Sequence, residues 1–95
     1  MVLEVALIDV LPGQEDEFAA SYRRGYPILA DTPGCRSVRM TRGIESASRF
    51  VLLVEWESVE AHQKNFRDTE RFTQWRGHIG RFFAKPPLVE HFTDV

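Results

Sequence analysis

Two stretches of this 95-residue chain carry apolar side chains on both faces, and that pattern limits what the chain can fold into. From Phe50 to Trp56, alternation sends Phe50, Leu52, Val54 and Trp56 to one side and Val51, Leu53 and Glu55 to the other. From Val2 to Leu11, it sends Val2, Ala6, Ile8 and Val10 one way and Leu3, Val5, Leu7 and Leu11 the other. A strand with one wet face alternates apolar with polar residues, so these two need cover on both sides. A chain this short buries only about 60–65% of the surface that its unfolded form exposes, which leaves little of its own mass for a second layer.

The remaining segments say what covers the first side. Pro12-Gly13 marks a turn, and Glu15, Asp16 and Glu17 place negative charge where the first turn of a helix has free N–H groups. Phe18, Tyr22 and Tyr26 follow every fourth residue, the stripe of a helix lying on a sheet, and Gly25 and Pro27 weaken its last turn. Thr32-Pro33-Gly34 is a second turn, with glycine at a position that favours positive φ. Cys35 to Arg42 alternates as a half-exposed strand, and Gly43 to Ser48 is a polar connection to the two-faced strand.

After that strand, Ser58 is placed to cap a short helix that carries Val59, His62 and Phe66, and Asp68 to cap another that turns Phe72, Trp75 and Ile79 inward until Gly80. Pro86-Pro87 stops any helix, and Leu88 to Phe92 forms a last strand, with Val89 and His91 on one face. The whole chain, residues 1–95, thus reads as one α+β domain: a ferredoxin-like split βαβ sheet with its helices on one face. The other face holds Val51 and Leu53 and exceeds the apolar patch a monomer tolerates, so the expected partner is a second copy, joined through the sheet faces as a homodimer.

Charge and composition remove several functions. Twelve Lys and Arg stand against fourteen Asp and Glu, a net charge of -2, where a nucleic-acid binder would carry a basic excess. No apolar run approaches the roughly 18 residues of a membrane span, and Glu4 and Asp9 interrupt the opening segment where a signal peptide needs an uncharged core. A cytoplasmic location is expected, with no membrane partner. Cys35 is the sole cysteine, so it has no internal disulfide partner. It begins a strand and has no obvious basic partner in sequence, so a reactive thiolate is not expected. His62, His78 and His91 stand at separations that fit no local metal motif, and no glycine-rich phosphate loop is present. Neither a metal nor a nucleotide cofactor is expected.

Residues Val54-Glu55-Trp56-Glu57-Ser58 leading into Glu60-Ala61-His62, then Asn65-Phe66, Phe72, Trp75-Arg76 and Phe82-Phe83-Ala84 through Val89-Glu90-His91-Phe92, resemble the antibiotic biosynthesis monooxygenase domain family. The resemblance spans essentially the whole chain, and its most specific piece is Trp-x-Ser-x-x-Ala after the hydrophobic strand. It implies a dimeric α+β barrel. In the family's best understood branch it also implies oxidation of phenolic compounds by O2 without metal or flavin. On that branch's pattern Trp56 and Arg76 match a tryptophan and an arginine of the pocket, whereas His62 replaces a tyrosine and Leu52 an asparagine. The heme-degrading relatives need an asparagine, a tryptophan and an iron-binding histidine where this chain has Ala6, Asn65 and the Trp75-Arg76 region. Heme degradation is therefore not expected.

The resemblance and the residues together name His62, Trp56 and Arg76 as candidate catalytic residues, and Leu52, Phe66, Trp75 and His91 as the candidate substrate-binding wall. Imidazole titrates near neutrality and suits a base for a phenol, and a guanidinium suits an oxyanion. Each has a plainer reading: Trp56 as core packing, His62 as a buried and satisfied histidine, Arg76 as a surface partner of Asp68 or Glu70. His78 reads as a surface residue near a helix end, Tyr22 and Tyr26 as core, and the cluster of Glu60, Arg67, Glu70 and Arg71 as a solvated helix face. The expected function is cofactor-independent oxidation of a small phenol- or hydroquinone-like aromatic. The rivals are a non-catalytic dimeric module for small ligands or stress response, and an isomerase or decarboxylase on the same barrel.

Overall fold

A computed structural model describes all 95 residues. Strand β1 spans Val2–Asp9, helix α1 Glu15–Ala30, β2 Cys35–Arg42, β3 Arg49–Trp56, α2 Val59–His62, α3 Glu70–Ile79 and β4 Leu88–Phe92. A π-helical turn, Gln63–Arg67, joins α2 to α3, and a 3-10 turn, Gly80–Phe82, follows α3. The strands form one antiparallel sheet in the order β2-β3-β1-β4. The expected ferredoxin-like arrangement is therefore present, with both two-faced strands at the centre of the sheet.

One face of the sheet meets the helices. Ala6, Ile8, Phe50, Leu52, Val54 and Trp56 pack there against Phe18, Leu29, Phe66, Trp75, Ile79 and Phe82 in a single core. The other face carries Leu3, Val5 and Leu7 of β1 and Val51 and Leu53 of β3, with Leu88 and Phe92 of β4 beside them. Nothing in the chain covers it: Leu7 is 40%, Leu88 56% and Phe92 49% exposed.

Both turn glycines take positive φ, 90° at Gly13 and 89° at Gly34. Gly34 also meets α2 closely, since a Cβ there would lie 2.7 Å from the Ala61 Cβ. The Gly34 carbonyl accepts from the Glu57 amide at 2.9 Å, and Asn65 Nδ2 donates to the Pro33 carbonyl at 2.9 Å. These contacts clamp the α1–β2 turn against the segment that carries His62.

The structure corrects five details. Helix α1 runs through Pro27 to Ala30, and its buried residues are Phe18, Ser21, Gly25 and Leu29, so Tyr26 is exposed and Tyr22 only half-buried. Each four-residue step overshoots a full turn by about 40°, which rotates the expected stripe away from the sheet by its third member. Gly25 is where α3 comes close, and the half-buried His78 ring lies against it rather than on open surface. Helix α3 is capped by Thr69, whose hydroxyl accepts from the Arg71 amide, and not by Asp68. Val59 is exposed. The first strand ends at Asp9, and Val10 instead bridges to Phe83. No helix is long and apolar enough to cross a membrane.

Candidate active site

The register of β1 places an acidic residue in the core. Glu4 shares the helix-facing side of β1 with Ala6 and Ile8, and its cross-strand neighbours are Val54 on β3 and His91 on β4. Trp56, fully buried at the end of β3, donates its indole N–H to Glu4 Oε1 at 2.9 Å. Ser58 caps α2 by accepting from the Ala61 amide at 3.0 Å, and this short turn drops His62 onto Trp56. The two rings stack at 4.8 Å with 14° between their planes.

Both imidazole nitrogens of His62 face polar atoms. Nδ1 is 2.7 Å from Nε2 of His91, and Nε2 is 3.3 Å from Glu4 Oε1. His62 is only 2% exposed. Burial pulls its pKa down to about 4, with His91 and Arg67 adding to the effect, so the ring is neutral at pH 7 and its contact with Glu4 is no ion pair. Burial likewise raises the Glu4 carboxyl above the usual range, opposed by the Trp56 hydrogen bond and by Arg67. The centre is thus a set of poorly solvated proton-exchanging groups in contact with one another. No buried side-chain polar atom is left without a partner.

This cluster opens into a cavity of about 450 Å³. Glu4 and His62 line it together with apolar residues that include Leu52, Phe66 and Trp75, and Arg67 and Arg76 complete the wall. The π turn matters here, because it inserts an extra residue into the helical path and lets both Phe66 and Arg67 reach the cavity. The guanidinium carbon of Arg76 lies 5.7 Å from the Phe72 ring centre and 5.1 Å from that of Phe83, and that of Arg67 lies 4.9 Å from Phe72. Neither arginine pairs with a carboxylate, so the surface pairing of Arg76 with Asp68 or Glu70 does not form.

Five of the seven candidate residues therefore line one cavity: His62, Arg76, Leu52, Phe66 and Trp75. Trp56 stands behind His62 as its stacking platform, and His91 touches His62 without lining the cavity. Two ionisable lining residues escape the sequence reading. Glu4 falls between Val2 and Ala6 in the alternation of β1, and a carboxylate in an apolar register was the available signal. Arg67 reads as part of a solvated face; it is exposed and lines the cavity as well. Cys35 is no nucleophile, since burial pushes its thiol up to about 11. No group of three or more His, Cys, Asp or Glu residues is arranged to hold a metal ion.

The model of the antibiotic biosynthesis monooxygenase family matches residues 1–78, which include Glu4, Trp56, His62, Arg67 and Arg76. The chain belongs to this family. The matched region stops before β4, so the family member's His91 lies outside it. The uncharacterized protein YczJ of Bacillus subtilis is 35% identical over 95 residues, the full length of both chains. An antibiotic biosynthesis monooxygenase-family protein of Bordetella bronchiseptica has the same fold, with a TM-score of 0.95 and 38% identity over 99% of this chain and 96% of that one. A variant of SnoaB, a cofactor-independent oxygenase from Streptomyces nogalater, shares the fold at a TM-score of 0.80 and 17% identity over 98% and 91% of the two chains.

Proposed function

We propose that this family member is a cofactor-independent monooxygenase that oxidises a small phenol- or hydroquinone-like aromatic with O2. The observation that carries this reading is a neutral, buried imidazole at the wall of an apolar cavity, stacked on Trp56 and backed by Glu4 and His91. Several convergent polar groups in an otherwise apolar cavity favour chemistry over simple sequestration of a ligand.

A phenolate is electron-rich enough to reduce O2 itself, so the protein's task is to make the phenolate, hold it dry and stabilise charge on oxygen. His62 accepts the phenolic proton. The phenolate passes one electron to O2, and the two radicals join at a ring carbon para to the oxygen to give a peroxide, which takes the proton back. Loss of the proton from that ring carbon, with cleavage of the O–O bond, gives the quinone and one water. Phenol and O2 thus become quinone and water, and the substrate supplies every electron. Arg76 steadies the negative charge that develops on the peroxide oxygen. Leu52, Phe66 and Trp75 hold the ring and exclude water. Trp56 fixes the plane of the His62 ring, and Glu4 and His91 exchange protons with it.

The reading includes a homodimer joined through the open sheet faces. Its support is the apolar surface of Leu3, Val5, Leu7, Val51, Leu53, Leu88 and Phe92 on the side away from the helices, interrupted by Glu55 and Glu90.

The test is O2 uptake by metal-free protein presented with a panel of phenols and hydroquinones. Uptake above buffer that disappears in His62→Ala, in a protein that keeps its oligomeric state, is the expected result. No uptake with any member of the panel overturns the oxygenase reading. Turnover that continues under argon assigns the same base to an isomerase or decarboxylase instead.

A further inference from the structure

The charges around the cavity are unbalanced in a way that the oxidation of a neutral phenol does not require. The ionisable residues that line it are Glu4, His62, Arg67 and Arg76. His62 is neutral at pH 7, and Glu4 is buried where its charged form is disfavoured. The two guanidiniums therefore dominate, in a protein whose overall charge is -2. Both are on exposed residues, both ride on the Phe72 ring, and neither has a carboxylate partner in the chain. Arg36, Arg42 and Arg49 pair with Glu57, Asp16 and Asp9, while Arg23, Arg24, Arg39, Arg71 and Arg81 have no carboxylate partner either, so what sets Arg67 and Arg76 apart is their place on the cavity wall. Arg67 and Arg76 keep their donors free at the one place where a ligand would enter.

We propose that the substrate carries an anionic group, a carboxylate or a phosphate, and that Arg67 and Arg76 together bind it at the cavity mouth while the ring points inward to His62. The proposal rests on the monooxygenase reading of the site for its ring chemistry, and adds the class of molecule that the site selects. The planar guanidinium presents N–H donors in a fork that matches both oxyanions, and stacking on Phe72 holds each fork in place before the ligand arrives. The arrangement gives the cavity a direction: a cationic, solvated entrance and a neutral, dry interior. An anion cannot lodge beside Glu4 without facing a carboxyl group there, so the charged end of the ligand stays outside. Arg67 belongs to the π turn and Arg76 to α3, and the two segments bring both side chains to the one cavity.

The experiment is isothermal titration of the full-length protein under argon with phenol, 4-hydroxybenzoate and 4-hydroxyphenyl phosphate. Wild-type protein should bind at least one of the two anions on the order of tenfold more tightly than phenol. Which anion binds more tightly separates carboxylate from phosphate as the natural group. The preference should shrink on raising NaCl from about 50 mM to about 500 mM, and vanish in the Arg67→Gln/Arg76→Gln double variant, whose affinity for both anions should fall to its affinity for phenol. Both side chains are exposed, and each single variant should lose part of the preference. Equal binding of all three probes by wild type, no binding of either anion, or a preference that survives the double variant would each overturn the proposal. Because binding under argon involves no turnover, tight anion binding without O2 uptake would count against the oxygenase reading alone, and O2 uptake with no anion preference against the clamp alone.

Discussion

His62 and His91 lie 29 residues apart in sequence, yet their ring nitrogens meet at 2.7 Å. The contact is made by β4 pairing with β1, which sets His91 directly across from Glu4 and under the imidazole brought down by α2. At this distance one ring donates and the other accepts, a contact that a neutral His62 satisfies. Burial pushes the His62 pKa below the ordinary 6.5, and of the ionisable groups around it, Glu4, His91 and Arg67, the last two add to that effect.

That relationship sets the pH dependence. A base with a pKa of about 4 is unprotonated throughout the neutral range, so kcat/KM should be flat from neutrality down to about pH 5 and fall only as the pH approaches 4. Removing His91 takes away one of the depressing influences, so His91→Leu should move the acid limb upward toward 6.5. A wild-type limb already at 6.5, read from the pH profile of O2 uptake, would contradict the burial argument.

Glu4 makes a separate prediction about stability. Its carboxyl is raised above 4.5 by burial, so the folded state disfavours the charge, and the contribution of Glu4 to stability falls as pH rises above 4.5. Glu4→Gln keeps an acceptor for the Trp56 N–H and removes the ionisation. Thermal melts should show this variant at least as stable as wild type at pH 8, with a smaller loss of stability between pH 5 and pH 8. Glu4→Leu instead strands the buried indole N–H and should lose about 1–3 kcal/mol at every pH. Equal pH slopes for wild type and Glu4→Gln would show that Glu4 ionises freely.

The open sheet face can be tested by a single charge. Leu53 sits at the centre of that face, opposite Val5 on β1 and Arg39 on β2. Leu53→Glu places a carboxylate where the dimer would be dry, and sedimentation at micromolar concentration should turn a dimer into a monomer. A wild-type protein that sediments as a folded monomer would remove the dimer from the account.

Gly34 tests the support of the site. An alanine there meets two obstacles, a φ of 89° and the Ala61 Cβ at 2.7 Å, and should destabilise the fold by about 1–3 kcal/mol. In an Ala61→Gly background the steric part disappears and the backbone part remains, so the loss in melting temperature caused by Gly34→Ala should be smaller there. Identical losses in both backgrounds would show that the contact with α2 carries no energy.

Much of the architecture was readable because dense alternation leaves little freedom. Cys35–Arg42 and Leu88–Phe92 are strands over the residues that their pattern and flanking turns mark, and the two-faced character of β1 and β3 is real. His62 was readable from its spacing with Phe66 and from the family resemblance. Glu4 was not, because apolar periodicity counts the residues that fit a buried face and passes over the one that does not; only the pairing of Glu4 with His91 gives it a place. Arg67 reads as solvent-facing and is exposed; the sequence does not show that the same side chain borders the cavity. Asp68 and Thr69 are both suitable N-cap residues, and residue type alone does not choose between them.

The central claim is that His62 acts as a base for oxidation by O2 inside the cavity. It is tested most directly by single-turnover oxidation of a monophenol under heavy-isotope O2, with the product read by mass. The account predicts a quinone carrying one oxygen atom from O2 with wild-type protein, and no such product with His62→Ala. A labelled quinone formed equally well by His62→Ala, or a product with no oxygen from O2, would contradict it.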